Sequence, residues 1–445
     1  MMLGDPVMAR LNRRQLLAAS AAGVAAVRPM AAAAEGTGKA FPKGFLWGAA
    51  TAGHQVEGNN VNADQWLLET TAPRLPATPS GDACNSFALW REDLDLVRRL
   101  GLNTYRFSIE WPRIEPVPGE FSIAMLDHYK AMIDGCLARG LAPVVTLCHF
   151  TTPRWFAARG GWTDGGAPAL FARYCERAIR HLGDGIRYCT TFNEPNGGPL
   201  LQTVLPPPFF GALRASLAAC AKASGTAKFA VGNTVLPEDV EATTHNMLAA
   251  HRLGRQAIKA LRPNLPVGVT LALVDDQAVG PDSMRDVHRE RVYGAWLRSA
   301  QGDEYVGVQN YERAVWDAKG RLPTPKGVPT NVAGSEIYPA SLANAVRYVH
   351  AETKVPILVT EHGVSTTDDR QRASLIPAAL AHLRAAMAEG VPILGYIHWS
   401  LLDNYEWGGD ERARFGLVEV DRTSFRRTPK PSAFVLGKIA QQNMV

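Results

Sequence analysis

Two carboxylates of this sequence, Glu194 and Glu361, each follow a short apolar run that is typical of a buried β-strand. Carboxylates are rarely buried unless a partner or a function keeps them there. If both strands belong to one closed parallel sheet, the two side chains face each other across one opening. Facing carboxylates can cleave a glycosidic bond, because one donates a proton to the leaving oxygen while the other attacks the anomeric carbon or activates a water molecule.

Polar and aromatic residues also follow most of the other apolar runs. They are Gln55 and Glu57 after the first run, Arg106 within and Glu110-Trp111 after the second, His149 after the third, Asn193 in the fourth, Asn310-Tyr311 after the sixth, His362 after Glu361, and Trp399, Glu406 and Trp407 at the eighth. Any one of these residues alone is more often a surface or hydrogen-bonded core residue than a functional one. Their recurrence at successive strand ends indicates one shared site.

The elements that must position these residues follow a repeated pattern, in which an amphipathic helix ends in Gly and a β-rich run follows. Four copies are clear: helix Arg91–Leu100 before strand Thr104–Ile109, helix Ala124–Arg139 before Pro143–Leu147, helix Ala169–Leu182 before Arg187–Phe192, and helix Ala373–Glu389 before Pro392–Ile397. The glycines that follow these helices are Gly101, Gly140, Gly183 and Gly390. We expect each to take the left-handed conformation that caps a helix.

Four further strands are predicted at Phe45–Ala50, Val267–Leu273, Tyr305–Gln309 and Ile357–Thr360, with helices at Glu241–Leu261 and Ser341–Glu352. Strands that alternate with helices predict a parallel sheet with right-handed crossovers. Eight such units predict an α/β fold, a single (β/α)8 TIM barrel with the active site at the C-terminal ends of the strands. An open doubly wound sheet is disfavoured, because no Gly-rich phosphate loop follows the first strand. The segment Gly197–Leu236 is predicted to be a long loop with a short helix.

Composition limits the function further. The chain has 445 residues, of which 46% are hydrophobic and 20% charged, with a net charge of +5. Part of this charge comes from arginines before residue 35, so neither a nucleic acid nor membrane insertion is expected. The eleven histidines are scattered without ligand spacing, so we expect no metal and no cofactor. Buried free thiols are predicted for Cys84, Cys136, Cys148, Cys175, Cys189 and Cys220.

The N-terminus predicts a targeting segment. Arg13-Arg14 precedes an apolar run from Leu16 to Val27 and an Ala-rich stretch that ends at Ala34. This arrangement resembles a twin-arginine export signal. We therefore expect residues 1–34 to be removed and residues 35–445 to form a catalytic barrel that is periplasmic or secreted. A disordered Ala-rich tail is the alternative, and Met8 could be the true start.

Six motifs in order carry a resemblance to a known family. They read FPKGFLWGAAT at 41–51 with QVEG at 55–58, YRFSIEW at 105–111, TFNEP at 191–195, TEHG at 360–363, WSLLDNYEW at 399–407 and RFGLVEVD at 414–421. Together they resemble the signatures of family 1 glycoside hydrolases, the β-glucosidase family, from Phe41 to about Lys430. The resemblance implies a retaining β-glycosidase, most consistent with a β-glucosidase, whose partner is a small-molecule β-glycoside.

The resemblance also implies roles for individual residues. Glu194 would be the acid/base, Glu361 the nucleophile and Asn193 the group that holds the sugar 2-hydroxyl. Arg106 and Tyr311 would support Glu361. The residues that would bind the sugar's other hydroxyls and its ring face are Gln55, His149, Trp399, Glu406 and Trp407, with Phe415 near the 6-position.

Some residues narrow the activity and others depart from the family pattern. Glu406 argues against 6-phosphoglycosidases, and Glu194 argues against thioglucosidases. A transglycosylase and a non-catalytic carbohydrate-binding barrel remain alternatives. The sequence leaves open the leaving group, the choice among glucosides, galactosides and fucosides, and the oligomeric state.

Three residues depart from the family pattern. Phe150 stands where the family usually has Trp, and His362 stands where it has Asn. Gln309 takes the usual place of an Asn, which leaves the role of Tyr311 less secure.

Overall fold

Eight parallel strands close into a barrel in the computed structural model, which describes residues 40–76 and 78–445. The strands are β1 (Leu46–Ala50), β2 (Thr104–Ser108), β3 (Ala142–Cys148), β4 (Tyr188–Asn193), β5 (Val267–Ala272), β6 (Asp275–Ala278), β7 (Tyr305–Asn310), β8 (Arg313–Asp317), β9 (Gly320–Arg321), β10 (Ile357–His362), β11 (Ile393–Trp399), β12 (Val418–Val420) and β13 (Arg427–Pro429). The barrel runs β1-β2-β3-β4-β5-β7-β10-β11 and returns to β1. The predicted TIM barrel is confirmed, and each predicted strand is present.

Helices surround the barrel. They are α1 (Gly53–Val56), α2 (Asp64–Thr70), α3 (Ser86–Arg99), α4 (Trp111–Ile114), α5 (Ile123–Ala138), α6 (Arg154–Ala157), α7 (Ala167–Leu182), α8 (Gly197–Val204), α9 (Pro207–Ser224), α10 (Val240–Leu261), α11 (Arg285–Arg289), α12 (Ala295–Ala300), α13 (Ser341–Thr353), α14 (Asp369–Ala388) and α15 (Pro431–Gln442). The described residues also form 3₁₀ helices at Gly161–Thr163 and Pro237–Asp239 and a π-helix at Glu290–Gly294. Strands β6, β8 and β9 form a small second sheet, and β12 pairs with β13.

The glycine caps are confirmed at three of the four predicted positions. Gly101, Gly140 and Gly390 have φ of 83°, 68° and 99°. The prediction is wrong for Gly183, which stays right-handed with φ of −61°. Its amide still donates to the carbonyl of Ile179 at 2.9 Å, so the helical hydrogen bonding runs one residue further and the left-handed turn falls on Gly185.

The predicted long loop at Gly197–Leu236 is also corrected, because most of this segment is helical. Helix α8 is followed by the 18-residue helix α9, which starts on prolines that are tolerated in a first helical turn. Helix α9 buries one apolar face against α2 and a following extended stretch; the buried residues there are Phe210, Leu213, Leu217, Cys220, Leu67, Phe229 and Val231. The prolines and glycines of this segment favour a loop in the sequence, and tertiary packing stabilises the helices that form instead.

The core has two layers. Inside the barrel, Leu46, Val144, Tyr305, Leu358 and Ile397 pack together with Trp399 at the open end. Outside it, the other faces of the strands pack against the helices. All six cysteines are buried and free, as predicted.

The predicted export signal, residues 1–34, lies outside the described residues. Within the residues that the structure describes, no helix is both long and apolar enough to cross a membrane. In the same part of the chain, no group of three or more His, Cys, Asp or Glu side chains is arranged to hold a metal ion.

Candidate active site

Glu361 lies in β10 and is held by two donors from neighbouring strand ends. Nη1 of Arg106 donates to Oε1 of Glu361 at 2.5 Å, and the hydroxyl of Tyr311 donates to Oε2 at 2.5 Å. Arg106 is 1% exposed and Glu361 4% exposed, so this ion pair is shielded from water. Each carboxylate oxygen therefore has its own charge-assisted or short hydrogen bond, which fixes the orientation of the group.

Arg106 also connects Glu361 to Asn193. Its Nη2 donates to Oδ1 of Asn193 at 2.7 Å, and Nε2 of Gln309 donates to the same oxygen at 2.8 Å. Since the amide oxygen is already occupied, the amide NH₂ of Asn193 is the end left to donate to a ligand. The sequence did not predict the Gln309 contact, although it did place Gln309 beside the site.

Glu194 has a different environment. Its backbone N–H donates to the carbonyl of Thr270 at 2.8 Å, and its φ of 46° turns the residue sharply away from the end of β4. No hydrogen bond from a described residue reaches its carboxyl group. Burial and then the negative charge of Glu361 raise the pKa of Glu194 to about 8, against a smaller lowering by Arg106.

The two carboxyl groups therefore differ in how readily each loses its proton. Burial also raises the pKa of Glu361, but the charge of Arg106 and the hydrogen bonds from Tyr311 and Arg106 oppose it. Glu194 has no such donors, and the charge on Glu361 adds to its desolvation. The arrangement favours an ionised Glu361 beside a protonated Glu194.

Several polar atoms around this pair are buried without a hydrogen-bond partner among the residues that the structure describes. They are Oε1 of Gln55, Nδ1 of His149, Oε1 of Gln309 and Oε1 of Glu406. Gln55 is fixed at its other end, where Nε2 donates to the carbonyl of Tyr405 at 2.7 Å. Burial lowers the pKa of His149 well below its usual range, so its ring is neutral. Unpartnered buried polar atoms are costly, and a ligand rich in hydroxyl groups would satisfy them.

Aromatic rings surround these polar atoms. Trp399 stacks on the ring of His149, with centroids 5.7 Å apart, and Phe150 meets Trp407 edge to face at 5.5 Å. Phe415 contacts the ring of Tyr311 edge to face at 5.6 Å. These contacts, together with the charge interaction between Glu406 and Glu361, join the predicted site residues into one cluster at the C-terminal ends of the strands.

His54 is a residue that the sequence reasoning missed. Its ring stacks on Trp407 with centroids 5.4 Å apart and planes 7° apart, and its Nε2 lies 3.0 Å from Oε1 of Glu69. Both His54 and Glu69 are buried. His54 directly precedes Gln55 in the QVEG motif, and this position was the only available signal in the sequence.

Other polar residues at strand ends have protein partners instead. Glu57 pairs with Arg113 and Tyr129, and Glu110 accepts hydrogen bonds from Thr151 and Asn60. The remaining three are Trp111, which donates to Glu115, Asn310, which donates to the carbonyl of Leu273, and His362, which shares a hydrogen bond with Tyr396. The expectation that the whole strand-end set shares one site is therefore corrected, because these five residues brace neighbouring elements.

Comparison with known proteins gives a consistent result. The family model described as Glycosyl hydrolase family 1 matches residues 37–316 and 309–445. The chain is 27% identical to Beta-glucosidase A of Thermotoga maritima, over 91% of this chain and 98% of that protein.

Two solved structures are also similar. Beta-glycosidase BGL167 is 43% identical with a TM-score of 0.85, covering 90% of this chain and 97% of that one. The apo structure of a beta-glucosidase 1317 is 40% identical with a TM-score of 0.86, covering 90% and 98%.

Proposed function

The chain belongs to glycosyl hydrolase family 1, and we propose that it hydrolyses unphosphorylated β-glucosides by a retaining mechanism. In this mechanism Glu361 is the nucleophile and Glu194 the acid/base. The observation that carries the proposal is the unequal environment of the two carboxyl groups. Arg106 and Tyr311 hold Glu361, whereas Glu194 has no hydrogen-bond donor among the described residues and a pKa raised to about 8. One protonated and one ionised carboxyl group are the two reagents that glycoside cleavage needs.

In the first step, an oxygen of Glu361 attacks the anomeric carbon while Glu194 gives its proton to the glycosidic oxygen. The bond from the anomeric carbon to the leaving oxygen breaks, the leaving group departs as an alcohol, and the sugar remains as an ester of Glu361. Arg106 and Tyr311 keep Glu361 ionised and correctly oriented before the attack. The NH₂ of Asn193 would donate to a sugar hydroxyl beside the reacting carbon.

In the second step, Glu194 reverses its role. Once Glu361 is esterified its negative charge is gone, so one of the two causes that raise the pKa of Glu194 is removed. Glu194 can then take a proton from a water molecule that attacks the anomeric carbon and releases Glu361. Two displacements at the same carbon leave the sugar with its original β configuration.

The proposed sugar preference depends on Glu406 and on the unpartnered atoms. Oε1 of Glu406 is buried without a partner in the described part of the chain, and burial together with the nearby charge of Glu361 raises the pKa of Glu406 well above its usual range. A phosphate at the sugar 6-position would add negative charge where two carboxyl groups already interact, so a neutral sugar fits better. The relative from T. maritima is named a beta-glucosidase, which supports glucose as the sugar.

The test of the two roles uses azide rescue of Glu361→Ala and Glu194→Ala. Glu361→Ala should lose nearly all turnover, and azide should then attack from the vacated face to give an α-glycosyl azide. Glu194→Ala should spare dinitrophenyl glycosides, whose leaving group needs no proton, and azide should give a β-glycosyl azide. NMR of the products distinguishes the two anomers.

Wild-type enzyme provides the matched control in the same NMR assay. The first sugar released from a β-glucoside should be the β anomer. Release of the α anomer would mean inversion, and the assignment of Glu361 as nucleophile would be wrong.

We further propose that the protein is exported through the twin-arginine route. Arg13-Arg14 followed by the apolar run Leu16 to Val27 supports this proposal. Replacing both arginines by lysine should trap the precursor in the cytoplasm, as measured by cell fractionation. Unprocessed wild-type protein in the cytoplasmic fraction would contradict the proposal.

A further inference from the structure

Strand β5 supplies none of the site residues predicted from the sequence, yet it lies between the two strands that lead to the catalytic groups. It pairs with β4, which ends just before Glu194, and with β7, which ends just before Tyr311. The strands of a parallel barrel all end at the same opening, so the end of β5 adjoins both residues. Its backbone is therefore placed to hold both of them.

Asn196 connects the turn that follows β4 to the end of β5. Its Nδ2 donates to the carbonyl of Ala272 at 2.8 Å, and its Oδ1 accepts from the amide of Ala272 at 3.0 Å. An Asn at the start of a helix usually accepts from amides of that helix. Asn196 directly precedes α8, but both of its polar atoms bind Ala272 instead. Since the amide of Glu194 donates to the carbonyl of Thr270, β5 holds the turn at both ends.

This connection matters because the backbone alone directs the carboxyl group of Glu194. No hydrogen bond from a described residue reaches that group. The φ of Glu194 is 46°, a left-handed conformation that residues other than glycine rarely adopt and that the surrounding structure must hold. Asn196 is fully buried, so water cannot replace its two hydrogen bonds. Without them Glu194 would be free to turn away from the glycosidic oxygen.

Asn310 connects the chain around Tyr311 to the same end of β5. Side chains alternate along a strand, so Asn310 points out of the barrel where Tyr311 points in. Nδ2 of Asn310 donates to the carbonyl of Leu273 at 2.9 Å and to that of Glu312 at 3.1 Å. Its Oδ1 accepts from the hydroxyl of Ser341 at 2.8 Å. Asn310 therefore holds the backbone on both sides of Tyr311.

We propose that the end of β5 is the frame that positions both catalytic carboxyl groups. Asn196 is the positioning residue for Glu194. Asn310 is the positioning residue for Tyr311 and, through the 2.5 Å hydrogen bond from the tyrosine hydroxyl, for Glu361. The proposal rests on the proposed function, because it takes Glu194 as the acid/base and Glu361 as the nucleophile.

The test of Asn196 compares two substrates with ring-bearing leaving groups, benzyl β-glucoside and 2,4-dinitrophenyl β-glucoside. Benzyl alcohol needs a proton to leave and dinitrophenol does not, so the pair separates proton donation from other losses. Asn196→Ala should lower kcat/KM for the benzyl glucoside by about tenfold or more, because Glu194 no longer points at the leaving oxygen. It should lower kcat/KM for the dinitrophenyl glucoside less than about twofold.

Asn310→Ala should affect the two substrates alike, because it acts on the nucleophile. We expect kcat/KM for both to fall by roughly threefold to tenfold, since one hydrogen bond to Glu361 is weakened. The bond from Tyr311 lowers the pKa of Glu361, so the acid limb of the pH profile should move to higher pH. In enzyme that already carries Tyr311→Phe, Asn310→Ala should change kcat/KM less than about twofold, because the hydroxyl that it positions is absent.

The Tyr311→Phe background also assigns the pH shift to one group. The ionisable groups that act on Glu361 are Arg106 of β2, Glu194 after β4, Tyr311 after β7 and Glu406 after β11. Asn310→Ala replaces none of them. A shift that disappears in the Tyr311→Phe background therefore reports the position of Tyr311, and a shift that persists there would contradict the role of Asn310.

Asn103→Ala is the matched control. Asn103 precedes β2 at the opposite end of the barrel, where its Oδ1 accepts from the amide of Trp47 at 2.8 Å and its Nδ2 donates to the carbonyl of Phe45 at 3.0 Å. The variant removes the same two kinds of hydrogen bond as Asn196→Ala. It should lower the melting temperature and leave both the ratio of the two kcat/KM values and the acid limb unchanged.

Equal losses on the two substrates in Asn196→Ala, or an acid limb that stays in place in Asn310→Ala, would overturn the proposal. Neither readout depends on how much of a variant is folded. If the alanine variants do not fold, Asn196→Ser and Ser341→Ala make milder changes and should shift the same readouts in the same directions. Wild-type enzyme that hydrolyses neither glucoside would overturn the proposed function as well, whereas wild-type hydrolysis with unshifted variants would overturn only the positioning roles.

Discussion

The two sides of Glu194 are constructed in opposite ways. Toward Glu361, polar side chains from different strands hold one another, and Arg106 makes hydrogen bonds to both Glu361 and Asn193. Toward Gly198, a cleft beside Glu194 is lined mostly by apolar side chains and by backbone, and two adjacent glycines, Gly197 and Gly198, form part of its wall. Charge and hydrogen bonding thus determine the chemistry on the first side, and shape determines what fits on the second.

This difference predicts different responses to substitution. On the polar side, Arg106, Glu361 and Asn193 each have at least two partners, so one change leaves other buried groups unpaired and acts on the reaction. On the apolar side, a change alters volume and acts on stability or on the choice of leaving group.

Among substitutions that keep both catalytic carboxyl groups, the largest effect is expected for Arg106→Lys. Lysine keeps the positive charge but cannot donate to Glu361 and Asn193 simultaneously through a planar fork. We expect kcat/KM for 4-nitrophenyl β-glucoside to fall on the order of 10²–10³-fold, the size of effect known for losing one preorganised donor. The matched control is Arg427→Lys at another buried pair, with Asp93, which should lower the melting temperature and keep kcat/KM. A loss below tenfold in Arg106→Lys would show that the fork is dispensable.

A sugar phosphate tests the same side through charge. We expect kcat/KM for a 6-phosphoglucoside to be lower than for the parent glucoside by on the order of 10²-fold, since like charges brought together cost several kcal/mol. Glu406→Gln should reduce this discrimination, because it removes one of the two interacting carboxyl groups that oppose added negative charge. A higher kcat/KM for the phosphorylated substrate would contradict the role proposed for Glu406.

The pH dependence of kcat/KM should be bell-shaped. Glu194 must be protonated in the free enzyme, so activity should fall as the pH rises through about 8. Glu361 must be ionised, so activity should also fall on the acid side. Tyr311→Phe removes a donor that lowers the pKa of Glu361, and the acid limb should therefore move to higher pH.

The size of the Tyr311→Phe effect follows from the charged hydrogen bond that is lost. A loss of roughly tenfold in kcat/KM at neutral pH is expected. Tyr396→Phe is the control, because its hydroxyl bonds to His362 and His398 instead of Glu361. An acid limb that stays in place or moves to lower pH in Tyr311→Phe would show that Tyr311 does not support the charge on Glu361.

How much the sequence predicts also differs between regions. The barrel strands carry a local signal, because a run buried on both faces is apolar throughout. The small sheet was missed because β6 begins with Asp275 and Asp276, which are polar residues that find buried partners only after folding. The sequence predicted only a short helix where the 18-residue helix α9 lies, because Pro and Gly in this segment favour a loop, whereas tertiary packing stabilises the helix.

Some features of the site could likewise be predicted from the sequence, and others could not. Arg106, inside a family motif, and Tyr311, directly after a predicted strand, were predicted to support Glu361, and both donate hydrogen bonds to it. Contacts between distant segments leave no such signal, as with the stacking of His54 on Trp407.

Glu57 is the opposite case, because its position at a strand end indicated a functional role, whereas in the structure Arg113 and Tyr129 bind it. A residue's type and register can be read from sequence, whereas its partner depends on the fold.

The smallest effect is expected on the apolar side, for Gly232→Ala. The added methyl group would lie 2.0 Å from the carbonyl oxygen of Phe150, and one of the two backbones must move. Overpacking of this kind costs roughly 1–3 kcal/mol of unfolding free energy, so the melting temperature should fall by a few degrees. Gly211→Ala is the control in a helix, and it should be neutral or stabilising by roughly 0.4–1 kcal/mol. Because Gly232 lines the cleft and Glu361 does not, Gly232→Ala should change kcat/KM for 4-nitrophenyl β-glucoside less than twofold. It should leave the pH profile as it is, and a shifted profile would mean that the two sides of Glu194 are coupled.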